Sequence, residues 1–319
     1  MTKTSTLTTA TVEIGIVHYP GALLSSVQGI AEQFYLANSI CQQNGLESVF
    51  KTQICDSQKL DAAEFDQMKP LQVIILPPCL EDSYYLAPES SLLSWLTWQH
   101  KQGAIICSVC AGAFVLAKTG LLEGRKATTH WALADDFSSR FPDVVLDSHK
   151  LLINDSDIIT AGGLMSWVDL GLELVAQFTN SQIMRQLGKY LIVDTAPREQ
   201  RFYQTFTPRL DHGDEVIVKA QHELHRNYNQ TVVIKRLAQL THLTERTFLR
   251  RFVKATGLKP SQYLQNLRIK KACELIEMNR MPFENVALNV GYEDLSAFRK
   301  TFTKITGQTP KEFKSRFVS

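Results

Sequence analysis

The chain has 319 residues, enough for two domains with separate cores, and its 44% hydrophobic and 21% charged residues are ordinary for a folded globular protein. Its net charge of +2 conceals a split: residues 214–319 hold 19 Lys and Arg against 10 Asp and Glu, a net +9, while residues 1–213 hold 15 against 22, a net −7. No apolar run approaches the ~20 residues that span a bilayer, so no membrane-spanning helix and no membrane partner is expected, and the basic half points to nucleic acid as a partner of that half alone.

The start, Met1-Thr-Lys-Thr-Ser-Thr-Leu-Thr-Thr9, lacks the apolar core of a signal peptide and reads as a short disordered lead. Cys41, Cys55, Cys79, Cys107, Cys110 and Cys273 are scattered, mostly in apolar contexts, as reduced thiols would be. These features predict a cytoplasmic, nucleoid-associated protein.

Val12 to Val17 is a β-branched run closed by Tyr19-Pro20-Gly21, a strand and a turn. Leu23 to Ile40 has helical periodicity, with Val27, Ile30, Phe34 and Ala37 on one face. Ser48 to Ile54 is a second strand. Val73 to Leu76, closed by Pro77-Pro78, is continuously apolar and too short for a helix, hence a buried strand. Leu92 to Lys101 predicts an amphipathic helix carrying Trp95 and Trp98, and Gly103 to Cys107 another buried strand. Thr128 to Trp131, a hairpin at Leu146 to Ile153, a strand from Ile158 to Gly163 and a long helix to about Leu187 complete the layer. Strands and helices alternating at these lengths predict an α/β domain with an open, mostly parallel, flavodoxin-like sheet. Leu191 to Asp214 mixes Pro197, Pro208 and charged residues without a period, and its centre, 196–213, is the expected linker.

Between strand and helix the chain runs Ser108-Val-Cys110-Ala-Gly112, a sharp elbow. A side chain there points out of the carboxyl edge of the sheet, where open α/β sheets bind ligands. Cys110 with His130 would make a nucleophile and base if the two side chains met. Cys107 and Cys110 have C-x-x-C spacing, a redox couple in other settings, but Cys107 falls inside the strand rather than at a helix start. Both could simply be small packing residues. The favoured reading makes Cys110 a pocket-lining residue beside His130.

The C-terminal stretch is one helical unit written twice. Ile234-Lys-Arg-Leu-Ala238 matches Phe283-Glu-Asn-Val-Ala287 at an offset of 49, and Phe248 to Pro260 matches Phe298 to Pro310 at an offset of 50. The extra residue falls in the connection, where Thr241 to Thr244 faces Val290 to Asp294, as two helices joined by an adjustable turn would show. Phe248 with Phe252, and Phe298 with Phe302, form apolar stripes before Gly257 and Pro260, and before Gly307 and Pro310. The opposite faces are cationic: Arg246, Arg250, Arg251 and Lys254 in one copy, Arg299, Lys300 and Lys304 in the other. A plain helical bundle with a solvated basic face would also carry such charges. Duplication, turn and charge together favour helices set into a major groove.

Arg-Phe-Val-Lys-Ala-Thr-Gly-Leu-Lys-Pro260, Tyr263-Leu264, Arg268, Ala272, Leu275, Val290-Gly291-Tyr292 and Thr309-Pro310 make this region resemble the AraC/XylS-type DNA-binding domain. The resemblance implies two helix-turn-helix units joined by a linker helix at about Ser261 to Asn279. Position by position it implies Arg246, Thr247 and Arg250 as base-facing residues of the first unit, and Ser296, Arg299 and Lys300 as those of the second. Cys110 to Trp131, Ala161-Gly-Gly-Leu164 and Asp169-Leu170 resemble the PfpI/class I glutamine amidotransferase-like superfamily, more closely the GlxA type of AraC regulator. Proteolytic members of that superfamily have His directly after the elbow Cys, where this chain has Ala111. Many also place a carboxylate on the first helix, where Ser26 stands here with Glu32 nearby.

The expected protein is therefore a ligand-responsive, sequence-specific DNA-binding transcriptional regulator and not an enzyme. Its parts are a sensing and dimerising domain at 1–195, a linker at 196–213 and an AraC-type DNA-binding domain at 214–319. Its expected partners are double-stranded DNA, a small-molecule effector, a second copy of itself in a homodimer, and RNA polymerase; no cofactor or metal is implied. The resemblance raises nitrogenous metabolites such as quaternary amines or amino acids as effectors. Cys110, His130 and Trp167 are the ligand-binding candidates, with Trp131 expected in the core. The rival readings are a thiol-dependent hydrolase or amidotransferase fused to a DNA-binding module, and a constitutive DNA-binding protein whose α/β domain only dimerises.

Overall fold

The structure, a computed structural model, describes residues 11–47, 49–278 and 281–318. The expected disordered lead lies outside the described residues, as does Ser48. The chain divides into two compact units, Met1–Gln200 and Arg201–Ser319.

The first unit runs β1 (Val12–His18), α1 (Leu24–Gln43), β2 (Phe50–Asp56), β3 (Val73–Leu76), α2 (Asp82–Leu86), α3 (Ser90–Lys101), β4 (Ile105–Val109) and α4 (Gly112–Lys118). It continues with β5 (Lys126–Ala127), α5 (Ala134–Arg140), β6 (Val145–Leu146), β7 (Leu152–Asp155), β8 (Ile158–Ala161), α6 (Trp167–Phe178) and α7 (Ser181–Leu191). Six strands form one sheet in the order β2-β1-β3-β4-β8-β7, parallel except for β7. Every residue of β3 and β8 is buried, as continuously apolar strands are when both faces are covered. The predicted face of the first helix, Val27, Ile30, Phe34 and Ala37, is buried in α1.

Three local expectations are corrected. The hairpin lies at β7–β8 rather than at 146–153, because Leu146 pairs in parallel with Ala127 in a separate two-stranded sheet. Ser156 adopts φ 70 in the β7–β8 turn, and its N–H donates to Asn154 Oδ1 at 3.1 Å. That Asx arrangement supplies the turn. The long helix to Leu187 is two helices, broken where the Asn180 carboxamide accepts from the N–H groups of Gln182 and Ile183 and caps α7. Trp131 is only half-buried, opening a short 3₁₀ turn with its ring against His130.

The second unit runs α8 (Glu215–Arg226), α9 (Ile234–Leu240), α10 (Glu245–Thr256), α11 (Pro260–Met278), α12 (Phe283–Asn289), α13 (Leu295–Thr306) and α14 (Pro310–Phe317). It has two small cores. Ile217, Leu224, Leu237, Ala238, Phe248, Phe252 and Tyr263 form one. Ile269, Ala272, Ile276, Val286, Ala287, Phe298 and Phe302 belong to the other, so α11 serves both. The duplication extends to its ends: Thr256 and Thr306 each donate a hydroxyl back to the carbonyl of the Phe four residues earlier, Gly257 and Gly307 take left-handed φ of 72 and 77, and Pro260 and Pro310 each open the next helix.

The stretch expected as a linker is largely tied down. Arg198 makes a bidentate bond to Asp169 and Gln200 is buried, within the first unit. Phe202, Tyr203 and Phe206 pack within the second.

Candidate functional sites

α9 and α10, and again α12 and α13, are joined by tight turns, with Thr244 and Asp294 capping the second helix of each pair. The Thr244 hydroxyl accepts from Thr247 N at 3.3 Å, and the Asp294 carboxylate accepts from Ser296 N at 2.8 Å and Ala297 N at 3.3 Å. Phe248 and Phe252 bury one face of α10, Phe298 and Phe302 one face of α13. The 3.6-residue period then turns Arg246 and Arg250, and Ser296, Arg299 and Lys300, to solvent, with Thr247 half-exposed beside its cap. Arg299 makes one loose ion pair with Glu284 at 3.8 Å, both side chains largely exposed. The six predicted base-facing residues are therefore divided three and three between two exposed helix faces.

Arg251 does not belong with them. Its guanidinium donates to both carboxylate oxygens of Asp214 at 2.7 and 2.9 Å, which fastens α10 to the N-terminus of α8 that Asp214 caps. The Arg251 guanidinium holds the Asp214 carboxyl below its usual range.

At the elbow, Cys110 has φ 54, a left-handed conformation that costs a residue with a Cβ, and its N–H donates to Ala161 O at 2.8 Å. Gly112 sits against β3: a Cβ there would lie 2.8 Å from Leu76 O. Cys110 is 5% exposed, and burial pushes its thiol up to about 12, with Cys79 adding to the rise and the Ala111 N–H opposing it. Tyr19 and Cys79 are the titratable groups nearest in effect; the Tyr19 hydroxyl donates to Pro77 O and its ring stacks on Tyr84 at 5.0 Å. His130 Nδ1 accepts from Ala132 N at 3.1 Å, and burial lowers the pKa of the imidazole. Ser26 is buried with its hydroxyl on Leu23 O, and Glu32 is exposed, so neither supplies an acid–base partner. Cys107 lies wholly buried in β4, and burial raises its thiol pKa strongly. Trp167 packs its ring on α1 where a Cβ on Gly29 would fall, 2.6 Å away.

The DJ-1/PfpI family model matches residues 45–177 and a helix-turn-helix domain model matches residues 237–316. The chain thus carries one stretch similar to the DJ-1/PfpI family and, separately, one similar to a helix-turn-helix domain. The HTH-type transcriptional regulator CdhR of Pseudomonas aeruginosa is 27% identical over 223 residues, 70% of this chain and 66% of that protein. The chain thus spans just under two thirds of that regulator's length. Isonitrile hydratase of Pseudomonas putida is 31% identical over 119 residues, 35% of this chain and 48% of that enzyme. A crystal structure from Vibrio parahaemolyticus shares the fold of the DJ-1/PfpI-type unit, with a TM-score of 0.50 at 19% identity over 57% of this chain and 99% of that one.

One residue of the DJ-1/PfpI-type unit escaped sequence reasoning. Gln200 lies in the expected linker, yet it is 2% exposed and its side chain reaches the carboxyl edge of the sheet beside the elbow. Nε2 donates toward Thr129 O at 2.8 Å, Thr128 Oγ1 at 3.0 Å and Lys150 O at 3.0 Å, and Oε1 accepts from Trp131 N at 3.1 Å. Gly162 makes the space, since a Cβ there would lie 2.3 Å from Nε2. The Gly-Gly pair after β8 was the sole local trace of this arrangement. It announces room, not what fills it. Among the described residues no helix is long and apolar enough to cross a membrane, and no cluster of side chains fit for a metal ion is present.

Proposed function

We propose that the chain is a ligand-responsive transcriptional regulator whose AraC-type unit binds duplex DNA sequence-specifically and whose DJ-1/PfpI-type unit senses a small molecule and dimerises. The observation that carries the reading is the pair of structurally repeated helices, α10 and α13, each anchored by two buried phenylalanines and each presenting three polar side chains outward. Two such faces suit two major-groove segments about one helical turn apart. Arg246, Arg250, Arg299 and Lys300 can bond guanine edges or phosphates, and Thr247 and Ser296 either. The protein works in the cytoplasm, at the nucleoid, with RNA polymerase as a further partner. Catalysis is set aside on the chemistry of the elbow: a thiol pushed up to about 12 holds little thiolate at neutral pH, and Ala111 and Ser26 stand where a His and a carboxylate would be needed.

Footprinting and salt-dependent DNA binding test this. The full chain selects a site from random duplex DNA, with log K falling steeply against log salt as phosphate contacts release counterions. Arg246→Ala and Arg250→Ala relax base preference in one segment by about 1–3 kcal/mol, and Arg299→Ala and Lys300→Ala in another about 10 base pairs away. If all four changes fall on one short segment, the two-helix reading is wrong.

A further inference from the structure

The slot that holds the Gln200 side chain has the polarity of a receptor for one chemical group. Three acceptors, Thr129 O, Thr128 Oγ1 and Lys150 O, converge on a planar NH₂, and one donor, Trp131 N, meets the oxygen beside it. A carboxylate would set an oxygen against those acceptors. A guanidinium would leave Trp131 N facing a donor. The Thr128 hydroxyl already donates to Lys150 O at 2.8 Å, so the two N–H groups of a primary carboxamide serve Thr129 O and Thr128 Oγ1 while its oxygen takes Trp131 N. The slot lies where ligands of open α/β sheets bind, past the carboxyl ends of the strands: it abuts Gly162, directly after β8, and Thr129, whose hydroxyl donates to Cys110 O at 2.8 Å. Its present occupant is the last residue of the first unit. Backbone bonds deliver it: Gln200 N donates to His149 O at 3.0 Å, and Glu199 bridges Lys150.

We propose that this slot is an effector subsite for a ligand carrying a primary carboxamide, with the Gln200 side chain as its tethered competitor. A ligand that takes these hydrogen bonds displaces Gln200 and frees the segment leading into the DNA-binding unit, which begins at Arg201. The competition makes apparent affinity weaker than intrinsic affinity by the fraction of time the slot stands open. The effector role rests on the regulator reading above; the binding preference of the slot does not.

The test uses propionamide, which is the glutamine side chain as a free molecule, with propionate and propylguanidinium as controls, on the full chain. Thermal shift and calorimetry should show Gln200→Ala binding propionamide at least tenfold more tightly than the unsubstituted protein, and binding neither control. Equal propionamide binding by the two proteins, or propionate bound as well as propionamide, overturns the proposal. Should Gln200→Ala fail to fold, Gln200→Ser is measured in the same way; folding restored by propionamide and not by propionate supports the slot. DNA affinity is then measured with and without propionamide. A change of threefold or more on filling the emptied slot supports the effector role, and no change, with selective propionamide binding intact, overturns that role. A protein that binds no DNA under any condition, yet binds propionamide selectively, sinks the regulator reading and with it the effector role, while supporting the slot's preference for a carboxamide.

Discussion

His242 and Gly291 hold the same place in the two helix-turn-helix units, both with left-handed φ, 52 and 84. The residue after each donates its N–H to an alanine of the preceding helix, Leu243 to Ala238 O at 3.0 Å and Tyr292 to Ala287 O at 2.9 Å. The turns are the same, but their surroundings differ. His242 faces solvent, whereas a Cβ on Gly291 would lie 2.6 Å from Asn229 O.

Opposite substitutions should therefore have opposite signs. Gly291→Ala adds left-handed strain to a backbone clash and should destabilise the second unit by about 2–4 kcal/mol. His242→Gly removes about 1–2 kcal/mol of strain against about 0.5–1 kcal/mol of added chain entropy, a small net gain. Urea midpoints of the two variants check both signs, and a destabilised His242→Gly would mean that the imidazole has a partner in solution.

The boundary of the DNA-binding unit should be set before Phe202 rather than at 214. Phe206 packs edge-on against Tyr263 at 5.1 Å, Tyr203 against Phe317 at 5.6 Å, and Arg316 lies over Phe202 at 4.8 Å. The Gln221 amide donates to Arg209 O at 2.8 Å. A fragment of residues 201–319 should melt well above one of residues 214–319, by about 4–8 °C for each kcal/mol lost. Equal melting temperatures would show that the segment adds nothing.

Cys110→Ala should fold and bind DNA as the parent does, since it removes one small buried thiol from a unit separate from the recognition helices. In the parent, site-resolved alkylation by iodoacetamide at pH 7.4 should be on the order of 10³-fold slower at Cys110 than at a free cysteine, because a thiol near 12 forms so little thiolate. Labelling at the free-cysteine rate would reopen a catalytic role.

The β7–β8 turn should make the first unit acid-sensitive. Asp157 accepts from Arg125 at 2.5 Å and lies 2.7 Å from His100 Nε2; the Arg125 bond is the largest cause that lowers its carboxyl to about 2. Its folded pKa is depressed, so the stabilisation is complete above the unfolded value near ~4 and is lost as pH falls from there toward about 2. The carboxylate is half exposed, which limits the effect to under about 1 kcal/mol. All four tryptophans, Trp95, Trp98, Trp131 and Trp167, belong to the first unit, so their fluorescence reports its acid unfolding alone. Asp157→Asn should flatten the loss of stability between pH 5 and 2.

Much of this molecule was legible because much of it is local. Apolar spacing at 3.6 and continuous four-residue runs located α1, β3, α3 and the paired helices α10 and α13, since the side chains that pack them recur within the same element. Turn chemistry at Gly291, Gly257 and Gly307 is likewise written where it acts. What escaped depends on partners distant in the chain. Arg251 looks like its basic neighbours until Asp214, 37 residues earlier, takes it. Cys110 and His130 looked like a pair from their places in the sequence, which could not show that burial raises the thiol or that the imidazole takes a backbone N–H of its own turn. Gln200 carries no motif at all. Only the folded sheet brings Thr128, Thr129, Lys150 and the bare face of Gly162 around it, because hydrogen-bond complementarity among residues up to 72 positions apart is a property of the assembled edge and leaves no period in the sequence.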